Sequence, residues 1–359
     1  MAVPRSAALH RALAKVAPGT PLRDGLDRIV RAKMGALLVI GDGPEVLSIC
    51  SGGFLLDASF SPQRMSELAK MDGAIIITAD ATRIARANVH LVPNPNTPTS
   101  ETGTRHRTAE RVARSIDVPV VSVSEDMGVI TVYVGETKHA LEEIPRLLNR
   151  GNQALQTLER YKSRLDDVSG TLSALEVQDL VTVRDVSTVL QRSEMARRIS
   201  AEIDNYVVEL GADARLMQLQ LNELMGDAED ERWSVLQDYC GCPTEADIDA
   251  ALATLSALDN AELLDLHVVA RVLGAEGDGD DAALDRSLAP RGYRLLAKLH
   301  RLPEDVIESV VARFGSLHRI MRATVTDLDA VVGVDEEGAR SIKDGLTRLA
   351  ETSILDRYS

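Results

Sequence analysis

The stretch Asp72-Gly73-Ala74-Ile75-Ile76-Ile77 decides how the amino-terminal half of this chain reads. Three isoleucines after a small residue form a short, continuous apolar run, the pattern of a strand buried on both faces. An aspartate and a glycine stand at the mouth of that strand, where α/β folds place their chemistry. Glycine lets a ligand approach the backbone closely, and the carboxylate can bind a metal or accept a hydroxyl proton. Asp72 is therefore a candidate metal ligand and catalytic residue, and Gly73 a candidate ligand-contact residue.

Outward from this strand, residues 35–40, 118–123 and 129–134 read as further strands, and 7–16, 20–33 and 61–71 as helices. The alternation predicts an α/β domain with a mixed sheet. Residues 41–44 read as a turn and 46–50 as the return strand of a hairpin. The glycines of that turn do not belong to a G-x-x-x-x-G-K-[ST] loop, which disfavours a Walker-type ATPase.

Some thirty residues later comes Thr104-Arg105-His106-Arg107-Thr108, read as a loop opening a helix over 108–116. Three potentially cationic side chains and two hydroxyls stand in five residues of a chain whose net charge is −15. A helix start offers free N–H groups and the positive end of a dipole, and Arg105, His106 and Arg107 add charge-assisted donors. The reading is a polyphosphate clamp. The preceding segment, 93–99, is a proline- and asparagine-rich loop that could act as a lid over it.

The 359 residues suggest two or three domains. The acidic balance argues against a broad nucleic-acid surface, and 3% aromatics argues against a stacking platform for single strands. Cys50, Cys240 and Cys242 give neither a disulfide framework nor a four-ligand zinc site, and Cys240 and Cys242 read as reduced bystanders. Without a signal peptide or a membrane-length run, the expected location is cytoplasmic, with no membrane partner.

From Leu141 the pattern changes. Leucines and isoleucines recur at three- and four-residue steps through Leu165, with Gly151 interrupting, and helices continue to about residue 226. This is an all-α spine with heptad-like spacing, suited to oligomer contact. Residues 274–281 read as an acidic linker, and the glycine and glutamate positions of a calcium loop are not met there.

Asp72-Gly73-Ala74, then Gly103-Thr104-Arg105-His106-Arg107, then Val121-Ser122-Val123-Ser124-Glu125, in this order, resemble the diadenylate cyclase domain over about residues 10–145. Residues 290–359 resemble a tandem helix-hairpin-helix module. Its first hairpin is Leu299 to Pro303, and its second carries Gly333-Val334-Asp335-Glu336-Glu337. Together these parts resemble the DNA integrity scanning diadenylate cyclases, and the expected organisation is multidomain: cyclase domain 1–145, helical spine 146–285, helix-hairpin-helix domain 286–359. The resemblance implies condensation of two ATP into cyclic di-AMP with release of two pyrophosphates, at sites facing each other in a homo-octamer. It implies Asp72 and His106 as catalytic residues, Mg²⁺ or Mn²⁺ on Asp72, and ATP held by Gly73, Leu91, Thr104, Arg105, His106, Arg107, Thr108 and Ser124. Leu91 would pack on the adenine and Ser124 lie near the phosphates. Arg301, Gly333 and Val334 would meet DNA. Asp335 stands where that module usually has a second glycine and Glu337 where lysine is common, so weak DNA binding is expected. The alternative is a non-catalytic DNA-structure-binding protein whose amino-terminal domain only senses ATP.

Overall fold

The computed structural model describes residues 6–226, 228–241, 244–274, 281–299 and 302–357, which divide into two compact units. The first comprises the chain through Leu155 together with Ala201–Leu221, and the second the remainder.

The first unit opens with helices α1 (Ala7–Lys15) and α2 (Pro21–Arg31). Thr20 starts α2 by accepting the Arg23 N–H at 3.1 Å, with Pro21 pre-set for the first turn. There follow β1 (Ala36–Ile40), α3 (Pro44–Ser48), β2 (Cys50–Ser51), β3 (Phe54–Ser59), α4 (Pro62–Leu68), β4 (Ala74–Ile77) and β5 (Arg83–Leu91). Then come α5 (Thr104–Ser115), β6 (Val120–Val123), β7 (Ile130–Val134) and β8 (Thr137–Ala140). The sheet order is β2-β5-β4-β1-β6-β7-β8, with β3 also paired to β5. β1 and β4 are parallel and the other pairs antiparallel, so the sheet is mixed.

Alternation along the central strands explains their unbroken apolar runs. Leu38, Ile40, Ile75 and Ile77 face one layer, packed with Leu13, Leu26 and Met65 of α1, α2 and α4. Leu37, Val39, Ala74 and Ile76 face the other, packed with Ala109, Val112 and Ala113 of α5.

Residues 46–50 do not form a hairpin strand. Pro44 and Glu45 open a helical turn after Gly43, and β2 pairs with the end of β5 instead. Gly151 does not interrupt the spine: α6 runs from Ile144 to Gln178 without a break. A Cβ at Gly151 would lie 2.2 Å from the Met217 methyl, so this glycine makes room for a neighbour. α7 follows as Val183–Leu210.

The second unit is helical. Its carboxy-terminal helices, Tyr293–Ala297, Glu304–Phe314, Leu317–Arg322, Val325–Asp329 and Glu336–Arg357, share a core of Leu296, Val310, Ile320, Leu328 and Ile342. Arg294 is fully buried, paired with Glu176 at 2.5 Å and donating to the Ser169 carbonyl at 2.6 Å. Asp238 accepts the backbone N–H groups of Gly292, Tyr293 and Arg294. These bonds tie the start of the carboxy-terminal helices to α6 and to the helix Ala228–Tyr239.

Gly333 turns the chain at φ +86° and Val334 is half-buried against the carboxy-terminal core. Arg301 and its neighbour His300 lie outside the described residues, as does Cys242. Cys240 is in a disulfide, which corrects its reading as a reduced bystander.

Candidate active site

A cavity of about 600 Å³ opens at the sheet end where β1 and β4 begin and β5 and β6 finish. That volume is ordinary for a small-molecule site. Asp72 and Gly73 enter it from the loop before β4, Leu91 from the last position of β5, and Ser124 from the turn after β6. Thr104, Arg105, His106 and Thr108 enter it from the start of α5. Arg107 does not line the cavity and is exposed to solvent, so the clamp has two inward cationic side chains rather than three.

The clamp is the first turn of its helix and not a loop ahead of it. α5 begins at Thr104, four residues earlier than expected. Gly103 is its N-cap and supplies no side-chain cap, and the Arg107 N–H closes the first turn on the Gly103 carbonyl at 2.8 Å. The N–H groups of residues 104–106 therefore have no helical acceptor, and the dipole points into the cavity. Arg105 has an open berth because residue 35 is glycine. A Cβ there would lie 1.9 Å from Arg105 Nη1.

Gly73 has φ +99°, and a Cβ on it would come within 2.9 Å of the Asn88 carbonyl carbon. The glycine is thus demanded by the β5 backbone, a reason beyond the ligand approach read from the sequence. Its N–H is held by Asp72 Oδ1 at 3.0 Å, which orients the exposed carboxylate. Glu125 and Asp126 join Asp72 on the cavity wall, although Asp126 reads from sequence as a turn residue. Among the described residues no three His, Cys, Asp or Glu side chains are grouped to hold a metal by themselves. This donor set suits a hard divalent ion that takes one protein carboxylate and fills its shell with phosphate oxygens and water.

His106 sits in a chain of polar contacts. Its Nδ1 is 2.9 Å from the Tyr133 hydroxyl, which donates to Glu101 Oε1 at 3.0 Å. Lys138 on β8 pairs with the same Glu101 oxygen at 3.0 Å. Burial, helped by Arg105 and Lys138, pushes the His106 imidazole below its usual pKa against the pull of Glu101. Burial and Glu101 hold the Tyr133 phenol firmly protonated.

The loop ahead of α5 is strapped down rather than free. Glu110 is buried and accepts from the Thr99 hydroxyl at 2.5 Å and the Ser100 N–H at 2.9 Å. Arg111 donates to the Thr97 carbonyl and Arg114 to the Pro98 carbonyl, both at 3.0 Å. Burial alone would raise the Glu110 carboxyl, but the Thr99 and Ser100 hydrogen bonds and Arg114 hold it below the usual range. Residues 93–99 line none of the cavity, so the lid expectation is not met in this conformation.

Residues 23–138 match the family described as DisA bacterial checkpoint controller nucleotide-binding, and residues 141–281 match the DisA bacterial checkpoint controller linker region. A DNA integrity scanning protein DisA from Frankia alni is 55% identical over 360 residues, covering all of both chains. Its namesake from Acidothermus cellulolyticus is 56% identical over 355 residues, covering 98% of this chain and 95% of that one. The Streptomyces coelicolor protein of the same name is 53% identical over 353 residues, covering 98% and 94%. The chain belongs to the DisA family. Its amino-terminal mixed-sheet domain is the family's diadenylate cyclase domain, a nucleotide-binding enzyme domain with ATP as substrate. Membership also implies a divalent metal.

Within this DisA-family domain, Tyr133, Glu101 and Gly35 escaped the sequence reading. Tyr133 lies 27 residues from His106 and in a strand whose apolar run hides it, so local spacing carries no signal of the contact. Gly35 reads there only as the start of a strand.

Proposed function

We propose that this chain joins two ATP molecules into cyclic di-3′,5′-adenylate at two copies of the cavity facing each other across a two-fold axis. The observation that carries this reading is the presence of Asp72 and the uncapped first turn of α5 on the walls of one cavity. Each 3′-hydroxyl oxygen attacks the α-phosphorus of the other ATP, and the bond to the β-phosphate breaks to release pyrophosphate. The hydroxyl proton passes to Asp72 or to solvent beside it. A single cavity holds one ATP, so both bonds form only where two subunits bring two nucleotides together.

Thr104, Arg105 and the free N–H groups of α5 hold the triphosphate, with His106, Thr108 and Ser124 at its edge. Leu91, at the end of β5 and buried in the α5-side core, gives the adenine an apolar floor. Gly73 fixes the loop that carries Asp72. Arg107, turned to solvent in one subunit, is left for the facing subunit's nucleotide. Mg²⁺ or Mn²⁺ on Asp72 would neutralise phosphate charge and order the leaving group. We assign cyclase chemistry to residues 1–145, oligomer contacts of the homo-octamer to the spine 146–285, and weak DNA contact to 286–359. The relatives' name, DNA integrity scanning protein, supports the last assignment. The expected contacts are Arg301, Gly333 and Val334.

Incubation of the purified chain with ATP and Mg²⁺ or Mn²⁺, followed by mass spectrometry, should give a dinucleotide with the mass of two AMP less two waters. ADP alone, or no product with several metals, would remove the proposal. Light scattering should show an assembly far above the 38.8 kDa of one chain. A monomer that turns over ATP would contradict the facing-site arrangement.

A further inference from the structure

We infer that Tyr133 and Glu101 are positioning residues that hold His106 as its Nδ1–H tautomer, leaving Nε2 to the bound triphosphate. The inference rests on the cyclase reading for its effect on rate, and on hydrogen-bond bookkeeping for the tautomer itself. The Tyr133 hydroxyl has one proton and gives it to Glu101 Oε1. Glu101 is an acceptor here because the Lys138 ammonium lies 3.0 Å from the same oxygen. The phenol oxygen can then only accept from His106, so the proton between them sits on Nδ1. Among the described residues Nε2 makes no hydrogen bond, and the ring lines the cavity.

Three elements converge to set this up. Glu101 comes from the loop before α5, Tyr133 from β7 and Lys138 from β8, while His106 rides on the first turn of α5. The consequence is a two-state donor. Without nucleotide, burial of the half-buried imidazole, with Arg105 and Lys138 acting the same way against the pull of Glu101, lowers its pKa and favours the neutral ring with a lone pair on Nε2. When the triphosphate arrives, its charge favours protonation at Nε2, and the new N–H points at a phosphate oxygen. With the opposite tautomer, Nε2–H would donate from the start and Nδ1 would have to take its proton from a tyrosine already committed to Glu101. Besides Arg105, the other charged or titratable groups on the cavity wall are Asp72, His90, Glu125 and Asp126, which enter any pH profile of the site.

The test pairs two readouts on the full-length chain. ¹⁵N-histidine labelling, with the His106 signal assigned by its loss in His106→Gln, should show Nδ1–H in the wild type and a mixture of tautomers in Tyr133→Phe. Dinucleotide formation should fall roughly tenfold in Tyr133→Phe, the scale seen when a functional histidine loses its orienting partner. In a His106→Ala background the same Tyr133→Phe change should cost nothing further. Glu101→Ala, with folding checked by circular dichroism, should reproduce the Tyr133→Phe tautomer mixture. An unchanged tautomer in Tyr133→Phe, or a loss that persists undiminished beside His106→Ala, would overturn the inference and reduce Tyr133 to packing. Failure of the wild type to make any dinucleotide would overturn the cyclase reading instead, and the ¹⁵N result would stand apart from it.

Discussion

Two of the described helix starts, the one capped by Gly103 and the one just beyond Gly333-Val334, treat an incoming anion in opposite ways. At α5, Gly103 caps without a side chain, leaving the first-turn N–H groups open beside Arg105 and His106. At the helix Glu336–Arg357, Asp335 stands after Gly333-Val334 and its Oδ1 accepts the Gly338 N–H at 2.7 Å. The chain's own carboxylate occupies the place a phosphate would take, and Glu336 and Glu337 extend the negative field. Helix N-termini alone therefore do not mark a phosphate site. The cap residue decides whether the dipole is spent internally or offered to a ligand.

The comparison is broken most severely by removing the carboxylate that works opposite the open helix start. Asp72→Asn keeps Oδ1 as acceptor for the Gly73 N–H, so the loop should hold its shape. It removes the charge needed for a metal or a proton. Dinucleotide formation should fall by about 10²-fold or more, with nucleotide binding largely kept. Near-normal turnover in this variant would show that the open helix start acts without Asp72.

Next in size is the berth of Arg105. Gly35→Ala places a methyl where the guanidinium now lies, and only a flexible side-chain end must move, so the fold should keep its thermal midpoint. ATP KM should rise roughly tenfold, about 1.4 kcal/mol, as a charge-assisted contact is lost. A KM unchanged by Gly35→Ala, with Arg105→Ala strongly impaired, would mean that the guanidinium reaches the phosphates by another path.

A smaller effect should follow from pH. Burial depresses the His106 pKa in the free site, with Arg105 and Lys138 acting in the same direction and Glu101 against them. Bound triphosphate pulls it up, so ATP binding takes up protons and weakens as pH rises through the bound-state pKa. The expected change is several-fold, read from ATP KM between about pH 6 and 8. His106→Gln should flatten that slope. A slope that survives His106→Gln would place the titrating group elsewhere.

Much of the open site is legible in the sequence, and what is not legible has physical causes. β1 and β4 announced themselves because both their faces are buried. Asp72, Gly73, Leu91 and Ser124 are single positions at strand ends, named by motif and resemblance, and all four line one cavity. The start of α5 was misplaced because Gly103 caps it without a serine, threonine or aspartate to signal the boundary. Residues 46–50 misled because a short apolar run cannot by itself separate strand from helix. β3 went unread because nearly all its residues are exposed, which erases the alternation. Tyr133, Glu101 and Gly35 were out of reach because their partners lie far along the chain, joined only by sheet and helix packing.

The smallest predicted effect concerns the closed helix start. If Asp335 and its neighbours suppress phosphate binding there, opening the turn should strengthen the weak DNA binding of the native chain. Asp335→Gly removes the internal cap, at a cost to the helix of a few tenths of a kcal/mol since glycine is itself a tolerable cap. With Glu337→Lys added, the three carboxylates against Arg340 become one against two cations. The double variant should bind duplex and branched DNA a few-fold more tightly at low salt. The slope of log affinity against log salt should steepen by about one, as expected for one added phosphate contact. The discriminating measurement is the slope rather than the affinity. Tighter binding with an unchanged slope would mean that no phosphate contact was added. In that case the cap at Asp335 would have no part in excluding DNA.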